Sequence, residues 1–158
     1  LQDRVVIRDG NKYDSGTKLI EAFLPIWNAY VATETPKILK RVGIRYVNKF
    51  AVTPSDLGDT LKIYPTMTFT EESGILLSRY DAQYSILSER YKAKANVIAS
   101  TEPNKDKILV TIDIDAFDND IEYYDVSTLK SVFARLRDFK NQIFFDNIIQ
   151  FIIICLCI

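Results

Sequence analysis

At 158 residues, with 47% hydrophobic and 26% charged side chains, the chain has the composition of one folded domain, which excludes a disordered or low-complexity polypeptide. Its 20 basic and 21 acidic side chains leave a net charge of −1, excluding a whole-molecule field that would pull it onto nucleic acid or an anionic membrane. The absence of histidine excludes Ser-His and Cys-His nucleophile pairs and His-assisted metal sites.

Residues 4–8, Arg-Val-Val-Ile-Arg, predict a short strand closed by a turn at Asp9-Gly10-Asn11. Over residues 17–32 the apolar side chains Leu19, Ile20, Phe23, Leu24, Trp27, Tyr30 and Val31 recur at helical spacing, with Asp14 or Ser15 as the cap. Pro25 falls inside that pattern and predicts a kink or a restart. A strand follows over residues 37–52. Ile38, Val42, Ile44, Tyr46 and Phe50 are read as its inward set, while Arg41, Arg45 and Lys49 point the other way.

Residues 53–59 read as a loop with room for one helical turn. Three further strands are predicted over residues 75–87, 91–100 and 107–117, the last two joined by a hairpin through Glu102-Pro103-Asn104-Lys105-Asp106. A second long helix is predicted over residues 126–145, capped by Asp125 or Ser127. Its stripe is Leu129, Val132, Phe133, Leu136, Phe139, Ile143 and Phe144, with Lys130, Arg135, Arg137 and Lys140 on other faces. The order strand, helix, four strands, helix predicts an α+β fold, a curved antiparallel sheet of about five strands with the helices on one face. Residues 1–147 form the expected domain. Residues 148–158 are an apolar tail, too short for a membrane-spanning helix, which needs about 20 residues. The tail is a candidate for self-association.

Three constellations bear on function. Arg41, Arg45 and Lys49 lie four apart, so they share one strand face at intervals of roughly 13 Å, and such a row can track phosphates, with Tyr46 as a stacking ring if the strand twists. The favoured reading is structural: Asp113 and Asp115 alternate on another strand, and opposite charges on adjacent strands make cross-strand pairs. Second, Asp113, Asp115, Asp118, Asp120 and Glu122 gather within ten residues, and two carboxylates on one strand face can hold Mg²⁺. A calcium loop is rejected, because Asp118 stands where glycine belongs and Tyr124 where the bidentate glutamate belongs. Third, Tyr80, Tyr84, Tyr91, Tyr123 and Tyr124 fall in or beside strands, where aromatics serve as packing residues. Cys155 and Cys157, separated by one residue at the end of the chain, make neither a structural disulfide nor a zinc site, and point to a cytoplasmic location.

The stretch Arg41-Val42-Gly43-Ile44-Arg45-Tyr46-Val47-Asn48 resembles the signature of a sporadically distributed prokaryotic family of uncharacterised proteins, in which R-[LIV]-G-[LIV]-R-Y-[IV]-N recurs in a strand. Residues 22–30 resemble that family's preceding helix, Asp113-Ile114-Asp115 its DID strand and residues 136–145 its closing helix. The resemblance implies that a strand-and-helix segment precedes Leu1 in a longer protein. It also implies a polar ending where this chain has Ile149-Gln150-Phe151 and an apolar run, a departure that a truncation or frameshift would explain, with a buried terminal strand or a sticky interface as the other readings of the run. It implies no activity.

These readings converge on a non-catalytic protein-interaction or ligand-binding domain, with Arg41, Arg45, Tyr46, Asn48, Lys49, Asp113 and Asp115 as the candidate binding residues. No cofactor, metal or catalytic residue is expected. The alternatives are a metal-dependent nuclease or phosphodiesterase using Asp113 and Asp115, and nucleic-acid binding without cleavage through the basic strand.

Overall fold

The computed structural model describes residues 5–7, 16–34, 36, 38–54, 56–62, 79–121 and 125–148. Its elements are α1 (Gly16–Glu34), β1 (Leu39–Val52), α2 (Leu57–Thr60), β2 (Tyr80–Ser88), β3 (Ala93–Asn104), β4 (Lys107–Ile121) and α3 (Val126–Asn147). The four strands form one antiparallel sheet in the order β1-β4-β3-β2. Consecutive strands β2, β3 and β4 make a meander. β1 is added beside β4, so paired residues of these two strands lie 56 to 82 positions apart in the chain.

Period-two alternation decides which face is buried. Val42 and Val52 of β1, Val97 of β3, and Val110, Ile112 and Ile114 of β4 are buried on the inner face. All join one core with the α3 stripe of Leu129, Val132, Phe133, Leu136, Phe139, Ile143 and Phe144. Alanines at 93, 95 and 116 sit in that same core with three phenylalanines, and small residues under large ones let the layers interdigitate without voids. The second helix layer is α1. Phe23 meets the Phe133 ring edge-on at 5.3 Å and stacks on Trp27 at 6.0 Å, while Trp27 is buried.

Two clasps hold α3 to the rest. Asp125 caps its first turn, its carboxylate accepting the Thr128 N–H at 2.8 Å. Arg135 donates to the carbonyls of Tyr91 (2.5 Å) and Lys92 (2.7 Å) in the β2–β3 turn and to Asp118 on β4 (2.5 Å). The turn it braces contains Lys92 at φ 42°, a left-handed conformation that costs a non-glycine residue energy.

The four-stranded sheet corrects the five-strand expectation among the described residues. Residues 5–7 carry no regular structure, and the rest of the predicted first strand lies outside the described residues, as do the caps at Asp14 and Ser15. Pro25 does not divide α1, which continues as one helical element from Gly16 to Glu34. Ile38 lies ahead of β1 and is exposed, not inward. The β3–β4 hairpin is tighter than expected: the ladder extends to the pair Asn104–Lys107, leaving Lys105 (φ 56°) and Asp106 as the loop. Ile148 is buried and bridges Leu61, while residues 149–158 lie outside the described residues. Among the described residues no helix is long and apolar enough to cross a membrane.

Candidate functional site

With both helix layers on one side, the other side of the sheet is a broad outer face. Pairing places residues on it in rows across four strands. One row reads Arg45, Asp115, Asn96, Ser85; the next reads Val47, Asp113, Ile98, Gln83; the next reads Lys49, Thr111, Ser100, Asp81. The row on the other flank is Gly43, Phe117, Lys94, Leu87.

Arginine and aspartate are interlocked here diagonally. Arg45 stands directly opposite Asp115 yet grips Asp113, one row on, through Nε to Oδ1 (2.9 Å) and Nη2 to Oδ2 (2.5 Å). This bidentate fork is the strong geometry for a guanidinium and a carboxylate. The hydrogen bonds that Arg45 donates to Asp113, and then the charge of that carboxylate, hold Arg45 above the usual arginine range. The Asp113 side chain is only 12% exposed, while that of Arg45 is 63% exposed, so the guanidinium forms a lid over the acid and presents itself outward.

Arg41 reaches further. It stands opposite Asn119 but donates from Nη2 to Asp115 at 2.7 Å, two rows away. On the way its guanidinium lies 4.2 Å from the centre of the Phe117 ring, a cation–π contact. Gly43 lies beside this path and spares the β1–β4 pairing a crowded contact. A Cβ at that position would stand 3.7 Å from the Arg41 guanidinium carbon and 3.2 Å from both the Ala116 carbonyl oxygen and Phe117 Cβ. The glycine of Arg-x-Gly-x-Arg is thus tied to the close approach of β4 at Ala116 and Phe117, while its contact with Arg41 is of ordinary length.

The structure brings together five of the seven candidate residues, Arg41, Arg45, Lys49, Asp113 and Asp115, and separates the other two. Tyr46 and Asn48 occupy the even-numbered positions of β1 and face the helices. Lys140 of α3 places its Nζ 4.0 Å from the centre of the Tyr46 ring, and burial, with Arg137 nearby, pushes that ammonium below the usual lysine range. Asn48 donates to the Ile112 carbonyl at 3.4 Å. Tyr46 is thus not a stacking platform beside the arginines. Asp118 also faces the helices, bound to Arg135, so the acidic cluster is split between two sides of the sheet. Among the described residues no group of three potential metal-ligating side chains gathers.

Three apolar side chains on the outer face escaped the sequence reading: Val47 (52% exposed), Ile98 (40%) and Leu87 (66%). Val47 was detectable, because its parity on β1 matches that of Arg45. Ile98 and Leu87 depend on the register of β2 and β3.

No family model, curated protein or solved structure matches the chain.

Proposed function

We propose that the chain is a non-catalytic interaction domain that docks a protein partner on the outer face of its sheet. The observation that carries this reading is the combination of Arg45, Val47, Ile98 and Leu87, all exposed, on one uncovered face. A rigid lattice of ion pairs studded with apolar side chains suits protein recognition, where arginine and apolar anchors supply contact area and a pre-ordered surface limits the entropy lost on binding. The likeness of Arg41–Asn48 to the prokaryotic signature is part of the same proposal.

The nucleic-acid alternative is the weaker reading, because each arginine already spends its charge on an aspartate, leaving Lys49 and Lys94 as exposed cations for phosphate. The metal-dependent alternative would have to free Asp113 and Asp115 from Arg45 and Arg41 first.

Partner recovery from cell extract tests the proposal with two folded variants, each checked by circular dichroism. Arg41→Ala/Arg45→Ala removes the ionic lattice; Val47→Lys/Ile98→Lys keeps the lattice and spoils the apolar contact. Recovery should fall at least tenfold in both. Undiminished recovery in both retires this face as the binding surface.

A further inference from the structure

We infer that the partner of stated chemistry is a second copy of this chain, docked face to face through the outer sheet surface about a two-fold axis parallel to the strands. This rests on the interaction reading above and goes beyond it by naming the occupant. Three observations select it.

The first is charge placement. On the outer face β1 carries Arg41, Arg45 and Lys49 and no acid, whereas β2 carries Asp81 and no base between Tyr80 and Ser88. A two-fold axis along the strands, passing between β4 and β3, lays β1 over the partner copy's β2 and keeps every row over itself. Lys49 then meets the partner copy's Asp81, Arg45 meets Ser85, and Phe117 meets Lys94. Asp113 lies beneath its own Arg45, so Ile98 of the other copy packs on the guanidinium plane instead of on a carboxylate. The one like-charge approach in these four rows is that of Lys94 to the Arg41 guanidinium lying on Phe117, and Asp115 already neutralises that arginine. An axis across the strands does the opposite: it stacks β1 on β1, arginine column on arginine column, and brings Asp113 against Asp115. The charge pattern thus distinguishes the two symmetric ways of pairing this face.

The second is area. Four strands at about 4.8 Å and roughly ten residues at about 3.3 Å each give a face on the order of 600 Å². Two such faces bury about 1,200 Å², the lower bound for a specific interface, so association is expected to be weak and concentration-dependent. The third is shape. Aligned sheets pack face to face at about 10 Å, and outer side chains of moderate length such as Val47, Ile98 and Leu87 fit that spacing.

Lys49 has no ion pair in its own chain among the described residues, whereas Asp81 is paired with Arg79 at 2.5 Å with both side chains substantially exposed. In the dimer Asp81 is shared between Arg79 and the partner copy's Lys49.

Sedimentation equilibrium of the full chain across micromolar to near-millimolar concentration tests this. The weight-average mass should rise from 18.2 kDa toward twice that value. Lys49→Glu alone and Asp81→Lys alone should each weaken dimerisation by about tenfold, since the two-fold repeats each clash and exposed pairs are worth up to about 1 kcal/mol apiece. The double reversal Lys49→Glu/Asp81→Lys should restore it. A chain that stays monomeric throughout overturns the self-docking inference and leaves the partner-recovery experiment to judge the face itself. Self-association that both single reversals leave unchanged also overturns it, assigning the contact to another surface.

Discussion

Arg45 and Asp113 show how a charged pair shapes a sheet surface without a large gain in stability. The acid lies nearly covered and the base lies mostly in water, so the fork satisfies a carboxylate that would otherwise be desolvated alone. Arg45→Ala should therefore cost about 1 kcal/mol, chiefly from the orphaned Asp113, while Arg45→Ala/Asp113→Ala should recover most of that loss. A urea-denaturation double-mutant cycle measures the difference. Gly43→Ala presents the opposite balance. Alanine relieves the conformational cost of glycine in a strand, but its Cβ meets the Ala116 carbonyl and Phe117 Cβ at 3.2 Å, and both are anchored in the ladder. The clash should prevail, at about 1 kcal/mol destabilisation by the same assay. At this scale alternation revealed that Arg41, Arg45 and Lys49 share a face and that aspartates answer them. It did not reveal which aspartate answers which arginine, because the partners are 68 and 74 residues apart and the choice is a diagonal one, set by register. Alternation also places Tyr46 in the inward set, and Asn48 shares its parity, so period two sends both to the face opposite the arginines.

The helix α3 was fully legible as an element. Its seven stripe residues are the seven buried residues, since a 3.6-residue period over six turns leaves no second solution. Leu136, completely buried at its centre, should cost about 3 kcal/mol when replaced by alanine, read as a lowered denaturation midpoint with unchanged slope. Its cap carries a pH signature. The Thr128 backbone N–H holds the Asp125 carboxylate below its ordinary value of 3.8. The cap is therefore at full strength above that value and is lost as pH falls through the lower, folded-state pKa. Asp125→Ala should melt below the parent chain at neutral pH, with the gap closing in strong acid, as followed by thermal denaturation. The strands were less legible at their ends. β3 runs through Pro103 to a two-residue loop, where the cluster Glu102–Asp106 reads as a longer turn, and α1 continues through Pro25 because its packed face, Phe23 on Phe133 with Trp27 stacked on Phe23, outweighs one missing N–H. The β2 boundary lay beyond reach for a plainer reason: nothing in its composition marks where pairing with Thr101 begins.

Among the described residues, two layers of helix lie on one side of a four-stranded sheet and none on the other, and everything proposed about function depends on that asymmetry. The α+β class and the placing of both long helices on one face follow from the run of consecutive strands between them. The strand order does not follow, because seating β1 beside β4 is a long-range choice that no local pattern encodes. Solvent paramagnetic relaxation enhancement of methyl signals, using a soluble gadolinium chelate on dilute protein, tests the asymmetry directly. The account predicts strong enhancement at Val47, Leu87 and Ile98, and little at Val110, Ile112 and Ile114 on the face beneath the helices. Equal protection of both sets would contradict it, because a face already sealed within the chain has nothing to offer a partner.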